Sequence, residues 1–448
     1  LSLRILLFNA KRKKCVSTSP HVGLAMIAAV LRQKGHNVMV VDYQFIHRAP
    51  APDFFMKNFK PDVIGITLYT ATMREAEYII ERVCEAGVPI VVGGPHATLY
   101  ADELIKDKRL SCVVKGQAED VVCSVFEEYA HGAKNRIIES SFSDVTVLPT
   151  ADFTCFYSFR TTRCYPLLTS RGCPFNCSFC AVALLSGRTW RPRDPGLCIE
   201  ELKQAKRTMP NIKSMVIYDD HPMFDKKHIV DFLDLYMKEA IGLPFTVINV
   251  RADSLDEEMV GLLKRAGCTS IALGVEHGDP EVFRMVNKQE SLEDIERAAR
   301  IIKKHGLPLY LCFVIGLEGD SLEKTKASIE FAKRLGPTHI YWNMANPFKG
   351  TRLRQWYEKE GTIFDLVNHS SWVDADFICD EPRAQTPDFS VEERKKAYYS
   401  AIMETNDLRL RSIDFSRLLP YVSRYNLWKE YRHWLLNKFK NLLRGRFL

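Results

Sequence analysis

Short apolar runs alternate with amphipathic stretches along most of this chain. Arg4-Ile5-Leu6-Leu7-Phe8-Asn9 is nearly continuous in apolar character and has the length of a strand buried on both faces of a parallel sheet. The helix-forming stretch Gly23–Leu31 follows and Gly35 closes it, before a second run at Asn37–Asp42. Asp62–Leu68 and Pro89–Gly94 repeat the strand pattern, with a helical stretch from Met73 to Ala86 between them. Val113–Gly116 reads as a fifth strand leading into a helix at Ala118. This alternation predicts an α/β fold, a doubly wound, Rossmann-like sheet over residues 1–150 that binds ligands at the carboxyl ends of its strands.

Residues 131–168 read as a join of mixed polar segments and prolines, with Asp152–Tyr157 packing the first unit on the second. Alternation then resumes across 151–355. Strands are expected at Leu167–Ser170, Lys213–Asp220, Pro244–Val250, Ser270–Glu276, Leu309–Gly316 and His339–Asn343. Helices at 194–208, 225–240, 255–266, 291–305 and 321–335 separate them. Residues 356–448 look helical and rich in aromatic side chains.

Between the expected strand at 167–170 and the helix at 194–208 lies Arg171-Gly172-Cys173-Pro174-Phe175-Asn176-Cys177-Ser178-Phe179-Cys180. So short a loop can aim three thiolates at one place, which suits a soft metal or an iron–sulfur cluster. A closed zinc site would need a fourth ligand, for which Cys164, Cys198 and His221 are available. With three protein ligands, one metal corner stays open to a substrate or cofactor.

The spacing Cys173-x-x-x-Cys177-x-Phe179-Cys180 resembles the signature of the radical S-adenosylmethionine (SAM) superfamily. Thr169-Ser170-Arg171-Gly172 and Trp190-Arg191-Pro192-Arg193 are similar to its branch with an N-terminal cobalamin-binding domain. The resemblance runs from about residue 1 to about 355. It implies a cobalamin-binding domain at 1–150, a partial (β/α)6 radical SAM barrel at 151–355 and a helical C-terminal region at 356–448. It also implies a [4Fe–4S] cluster on Cys173, Cys177 and Cys180.

For SAM, the resemblance places Asp219 at the amino group, Arg251 at the carboxylate, Glu276 at the ribose and Phe179 along the adenine, with Ile315-Gly316-Leu317 closing the apolar side. For cobalamin it places Thr67, Tyr69, Thr70, Gly93, Gly94, Pro95, His96, Gly116 and Glu119 in the holding loops. Relatives that ligate cobalt from below use Asp-x-His-x-x-Gly. Here Thr18-Ser19-Pro20-His21-Val22-Gly23 sets His21 one residue out of register and without the orienting carboxylate. His21 is then a polar loop residue or an irregular ligand. Tyr69 occupies the lower face of cobalt as a bulky ring or, if deprotonated, as a ligand.

The activity implied is C-methylation of an unactivated carbon. The 5′-deoxyadenosyl radical abstracts hydrogen and methylcobalamin supplies the methyl group. The alternative is a cyclisation, ring rearrangement or oxidation without methyl transfer. The substrate is a polypeptide side chain or a small biosynthetic intermediate, and the electron donor a ferredoxin or flavodoxin.

Composition narrows the setting. At 448 residues, 46% apolar and 26% charged, the chain is ordinary for a globular protein of two or three domains. No run approaches the roughly 18 apolar residues of a membrane span, and no secretory leader is expected. Thirteen cysteines without a regular framework point to a reducing cytoplasm. The ten outside the loop, such as Cys312, read as small buried hydrophobes.

Of the net +7, residues 408–448 hold ten Lys or Arg against two acids, a local +8 that leaves −1 elsewhere. Nucleic-acid binding by the body is therefore not expected. In the tail, Trp428, Tyr431, Leu435, Phe439 and Leu442 share one helical stripe among basic residues. This is a membrane-surface or partner dock, or a helix that covers the barrel.

Overall fold

The computed structural model describes residues 2–11, 19–46, 49–133, 136–364, 381–405 and 415–443. Six parallel strands form the first sheet: β1 (Arg4–Asn9), β2 (Asn37–Asp42), β3 (Val63–Thr67), β4 (Ile90–Gly93), β5 (Cys112–Lys115) and β6 (Arg136–Glu139). Their order is β2-β1-β3-β4-β5-β6, with helices on both faces. β1 and β3 are buried almost throughout, as their unbroken apolar runs require. β6 lies inside the stretch read as a join. It is an edge strand with partly exposed side chains, so its sequence carries no buried-strand pattern.

The second sheet is also all parallel, and its strands lie side by side in chain order. They are β7 (Cys164–Leu167), β8 (Ser214–Ile217), β9 (Phe245–Val250), β10 (Cys268–Glu276), β11 (Leu309–Ile315) and β12 (His339–Met344). β7 pairs with β8 but not with β12, so the barrel is open. Its first strand falls before the expected 167–170, because an edge position tolerates Pro166, which the sequence pattern counts against a strand.

The five crossover helices start at side-chain caps. Asp194, Asp225, Asp256, Ser291 and Ser321 each accept a hydrogen bond from a first-turn amide. Ser291 completes a capping box with Asp294.

Residues 152–157 join the units. Phe156 bridges to Val40 of β2, while Phe153 meets Tyr165 of β7 edge to face at 5.2 Å. Beyond the barrel come helix Arg352–Glu360, a ladder that pairs Thr362–Ile363 with Ala384–Gln385, and helices Val391–Thr405, Phe415–Tyr425 and Trp428–Leu443. In the tail stripe, Tyr431 is buried in the main core together with Trp434, while Trp428 is exposed. The side chains of Phe439 and Leu442 lie outside the described residues. Among the described residues, no helix is long and apolar enough to cross a membrane.

Candidate active site

The cysteine loop leaves β7 through a ladder pairing Ser170–Arg171 with Arg191–Pro192. Gly172 takes φ 89°, and a Cβ there would sit 2.2 Å from the Thr189 carbonyl oxygen, so only glycine fits. The loop is pinned at many points. The amides of Cys173 and Ser178 donate to Gly187 O (3.2 Å) and Val286 O (2.8 Å), and Asn287 Nδ2 donates to Asn176 O (3.1 Å).

All three thiols are half-buried. Burial, then the neighbouring thiol, pushes Cys177 up to about 12; burial also pushes Cys180 up to about 11. Among the described residues, no three His, Cys, Asp or Glu side chains converge on a single ion. The other zinc candidates are scattered: the buried Cys198 thiol meets Leu168 O at 3.8 Å, Cys164 lies on β7, and the His221 ring is 5.6 Å from Phe175. Three thiols spread along one loop suit a cluster, where each cysteine takes a different iron.

Two of the expected SAM contacts are already committed elsewhere. Asp219 is fully buried, and its carboxylate accepts from Thr169 N (2.7 Å), Thr169 Oγ1 (2.5 Å) and Ser170 Oγ (2.6 Å). Its work is to fasten the strand end that launches the loop. The next residue, Asp220, faces the site, where one oxygen accepts from Gly172 N at 2.9 Å. Reading Tyr218-Asp219-Asp220 as a string cannot say which carboxylate turns inward.

Arg251 stacks on Phe175, 3.7 Å from the ring centre, and donates to Asp253 and to the carbonyls of Lys288 and Gln289. It clamps two barrel loops, so its fork is engaged by them in this arrangement. Glu276 ends β10 at φ 65°, 3.3 Å from Lys288 Nζ, and burial raises its pKa. Phe179, like Cys177, Val314 and Trp356, packs against a buried cluster that includes Leu317. Ile315 is also fully buried.

A second set of loops closes on a cavity of about 360 Å3. Thr67, Gly93, Gly94, Pro95, Gly116 and Glu119 line it, over a floor that includes Gly65, Val91 and Phe126. Gly94 takes φ 92°, where a Cβ would lie 2.5 Å from Thr67 Oγ1. At Gly93 a Cβ would meet nothing closer than 3.9 Å, so glycine there keeps open space that a side chain would fill. Thr98, which carried no signal in the sequence, ties two loops by donating to Gly94 O (3.0 Å) and accepting from Gly116 N (3.1 Å). This glycine-walled, mostly apolar cradle fits the nucleotide tail of a cobalamin.

Two expected cobalamin contacts lie elsewhere. His96 is buried, its Nδ1 2.9 Å from Thr70 Oγ1 and its ring stacked on Tyr100, and it does not line this cavity. Thr70 faces a neighbouring one. The cradle's far wall comes from the barrel, as Arg171, Leu185, Ser186 and Asp220. Arg171 pairs with Glu119 across the two units at 2.6 Å, with both side chains buried.

Tyr69 borders three adjoining cavities. Its hydroxyl lies 2.8 Å from His21 Nε2. His21 Nδ1 accepts from Leu24 N at 3.0 Å, which places the imidazole proton on Nε2, donated to the tyrosine oxygen. Burial lowers His21 to about 4, so the ring is neutral. Asp42 accepts from the backbone amide of His21 at 2.9 Å, and its other oxygen accepts from Asn9 Nδ2 and Gln44 N. Thr18 lies outside the described residues.

Two family models match this arrangement: a B12 binding domain over residues 12–126 and the Radical SAM superfamily over 167–332. An uncharacterised methyltransferase of Pyrococcus horikoshii is 27% identical over 372 residues, covering 77% of this chain and 80% of the relative. The anaerobic magnesium-protoporphyrin IX monomethyl ester cyclase of Rubrivivax gelatinosus is 24% identical over 343 residues, 70% of this chain and 61% of the cyclase. Among solved structures, the radical S-adenosylmethionine methyltransferase TsrM of Kitasatospora setae, with cobalamin and a [4Fe–4S] cluster bound, superposes with a TM-score of 0.66 at 19% identity. The match covers 79% of this chain and 77% of that one.

The chain therefore carries a B12-binding domain followed by a radical SAM domain. It is an enzyme whose cofactors are a [4Fe–4S] cluster, SAM and cobalamin.

Proposed function

We propose that this enzyme transfers a methyl group to an unactivated carbon. The observation that carries the reading is the shared cavity wall. Thr67, Gly93, Gly94 and Pro95 from the first unit face Arg171, Leu185, Ser186 and Asp220 from the segments around the cysteine loop. A group held by the first set therefore sits against the second. When bound, the cofactors supply SAM cleavage, hydrogen abstraction by the 5′-deoxyadenosyl radical and a methyl group for the resulting carbon radical.

The chain's own residues place these groups and exclude water. Cys173, Cys177 and Cys180 hold the cluster, and Asp219 fixes the strand end beneath it. Asp220 anchors Gly172, while Glu276, Phe179, Ile315 and Leu317 border the SAM side. Tyr69, tethered by His21, would border the cobalamin when it is bound. The electron donor is a ferredoxin or flavodoxin, and the setting a reducing cytoplasm, with the basic tail touching an anionic surface.

A second reading, ring formation without methyl transfer, is favoured by the match to the cyclase. Incubating the reconstituted enzyme with candidate substrates and SAM carrying a trideuterated methyl group separates the two. A product that carries the deuterated methyl supports methyl transfer. A product lacking it, formed together with 5′-deoxyadenosine, overturns it.

A further inference from the structure

The strand that ends in Glu276 is bent to aim it. Gly274 of β10 pairs with Cys312 and Glu276 with the very next residue, Phe313, so Val275 bulges out of the ladder. Glu276 itself takes φ 65°. Left-handed backbone is unfavourable for a residue with a Cβ and persists only where the surroundings fix it. The facing loop carries two more such residues, Asn287 (φ 57°) and Gln289 (φ 62°), on either side of Lys288.

Lys288 is buried and holds these pieces together. Its ammonium lies 3.3 Å from Glu276 Oε1 and 2.7 Å from Glu290 Oε1, and it donates to Gly274 O. A Cβ at Gly274 would clash with Glu276 Oε1 and crowd Lys288 Nζ at 3.2 Å, so glycine makes room for the pair. Arg251 donates to the carbonyls of Lys288 and Gln289, and Glu290 Oε2 accepts from Ala252 N at 3.0 Å. The same loop pins the cysteine loop through Val286 O and Asn287 Nδ2.

The two acids on Lys288 differ in one respect. The Glu290 side chain is fully buried, whereas that of Glu276 is 12% exposed. Among the described residues, nothing donates to Glu276 Oε2. One carboxylate is spent on the loop, and the other keeps an open oxygen.

We propose that Lys288 is a positioning residue for SAM: it holds Glu276 so that Oε2 accepts from the ribose hydroxyls, and it ties that carboxylate to the loop that pins the cluster cysteines. The assignment rests on Glu276 bordering SAM, as in the proposed function, and not on the fate of the methyl group.

The test uses the full chain loaded with cluster and cobalamin, and two probes: S-adenosylhomocysteine and its analogue lacking both ribose hydroxyls. Anaerobic titration calorimetry measures their binding. Wild type is expected to bind S-adenosylhomocysteine about tenfold tighter than the analogue, as hydrogen bonds to a charged acceptor imply. Glu276→Ala and Lys288→Met should each remove most of that preference. Lys288→Met added to Glu276→Ala should change it no further, because the lysine acts through the glutamate. Lys288→Arg, which keeps the charge and a donor, should restore it in part.

Iron content and the cobalamin spectrum verify that the variants are folded. Where Lys288→Met alone loses iron, Lys288→Met with Glu290→Gln restores the net charge and carries the same expectation. Loss of iron in both makes Lys288 part of the scaffold and overturns the assignment. Equal binding of the two probes by wild type, a preference that survives Lys288→Met, or losses that add in the double variant also overturn it. A chain that meets these expectations but transfers no labelled methyl overturns the proposed function instead.

Discussion

At the scale of single residues, the three cluster cysteines differ from the other ten by their shared loop rather than by any property of the thiol. Replacing Cys173, Cys177 or Cys180 with Ala should abolish SAM cleavage and the change in cluster electron paramagnetic resonance on adding SAM. Cys164→Ala and Cys198→Ala should keep both. Iron content and 5′-deoxyadenosine release check this, and cluster loss in either of the latter pair would refute the three-ligand assignment.

Tyr69 and His21 make a second residue-level case. Each occupies the atom the other would use to ligate cobalt: Nε2 carries a proton and points at the tyrosine oxygen. The cob(II)alamin form of the wild type should show no nitrogen superhyperfine splitting. Tyr69→Ala should open the lower face and shift the visible spectrum towards a water-bound form. Splitting in the wild type that disappears in His21→Ala would show the histidine to be a ligand after all.

Buried titratable groups give a pH dependence. Burial pushes His21, His96 and His221 down to about 4, so the unfolded chain takes up protons the fold refuses. Their contribution is fully present above about pH 6.5 and is lost as pH falls towards 4. Asp42 and Asp219, raised to about 6 by burial, act oppositely: their contribution fades as pH rises through 6. His96→Gln, at a buried position that lines neither cavity, isolates one histidine. Its thermal midpoint should fall less than that of the wild type between pH 6.5 and 4.5. Parallel curves would contradict this.

At the scale of elements, the barrel and the first sheet are tied where β5's loop meets the entry to the cysteine loop. Glu119→Gln leaves Arg171 charged and buried without its partner, a loss of about 3–5 kcal/mol for such pairs. The expected outcome is a lowered thermal midpoint together with weaker cobalamin retention on gel filtration. Replacing both residues with Met should recover much of the midpoint without recovering the cofactor, because a well-packed apolar pair removes the stranded charge but not the lost loop geometry.

Over the whole molecule, the tail packs on the core and also carries the charge of the proposed anionic dock. Tyr431 and Trp434 are buried in the main core, so truncation at 424 would damage the fold as well as the surface. Charge variants are the cleaner probe. Lys429→Gln with Arg432→Gln should reduce co-sedimentation with phosphatidylserine vesicles, since each basic residue near such a surface contributes about 1 kcal/mol. Added salt should have the same effect. Wild type and variant that sediment alike at low salt would sink the idea of an anionic dock.

Much of this architecture is local in origin and therefore legible along the chain. Unbroken apolar runs mark strands buried on both faces, Asp and Ser caps open the crossover helices, and the cysteine spacing is completed within one loop. Glycines at 93, 94 and 116 likewise lie at or just past the ends of their strands, so their place in the fold was legible along the chain. What failed to show depended on partners far away in sequence. β6 and β7 are edge strands, the first partly exposed and the second containing Pro166, so neither has the pattern of a central strand.

Asp219 and Asp220 are neighbours with opposite fates, because successive residues leaving a strand point in different directions and only the packed Thr169–Ser170 segment decides which is consumed. Arg251 faces Phe175 and the loop at 288–289 only once the barrel strands stand side by side. Arg171 found Glu119 through the docking of one unit on the other. Sequence determined which groups the chain carries and where its strands end; tertiary packing decided which of those groups were spent on the scaffold and which were left facing the site.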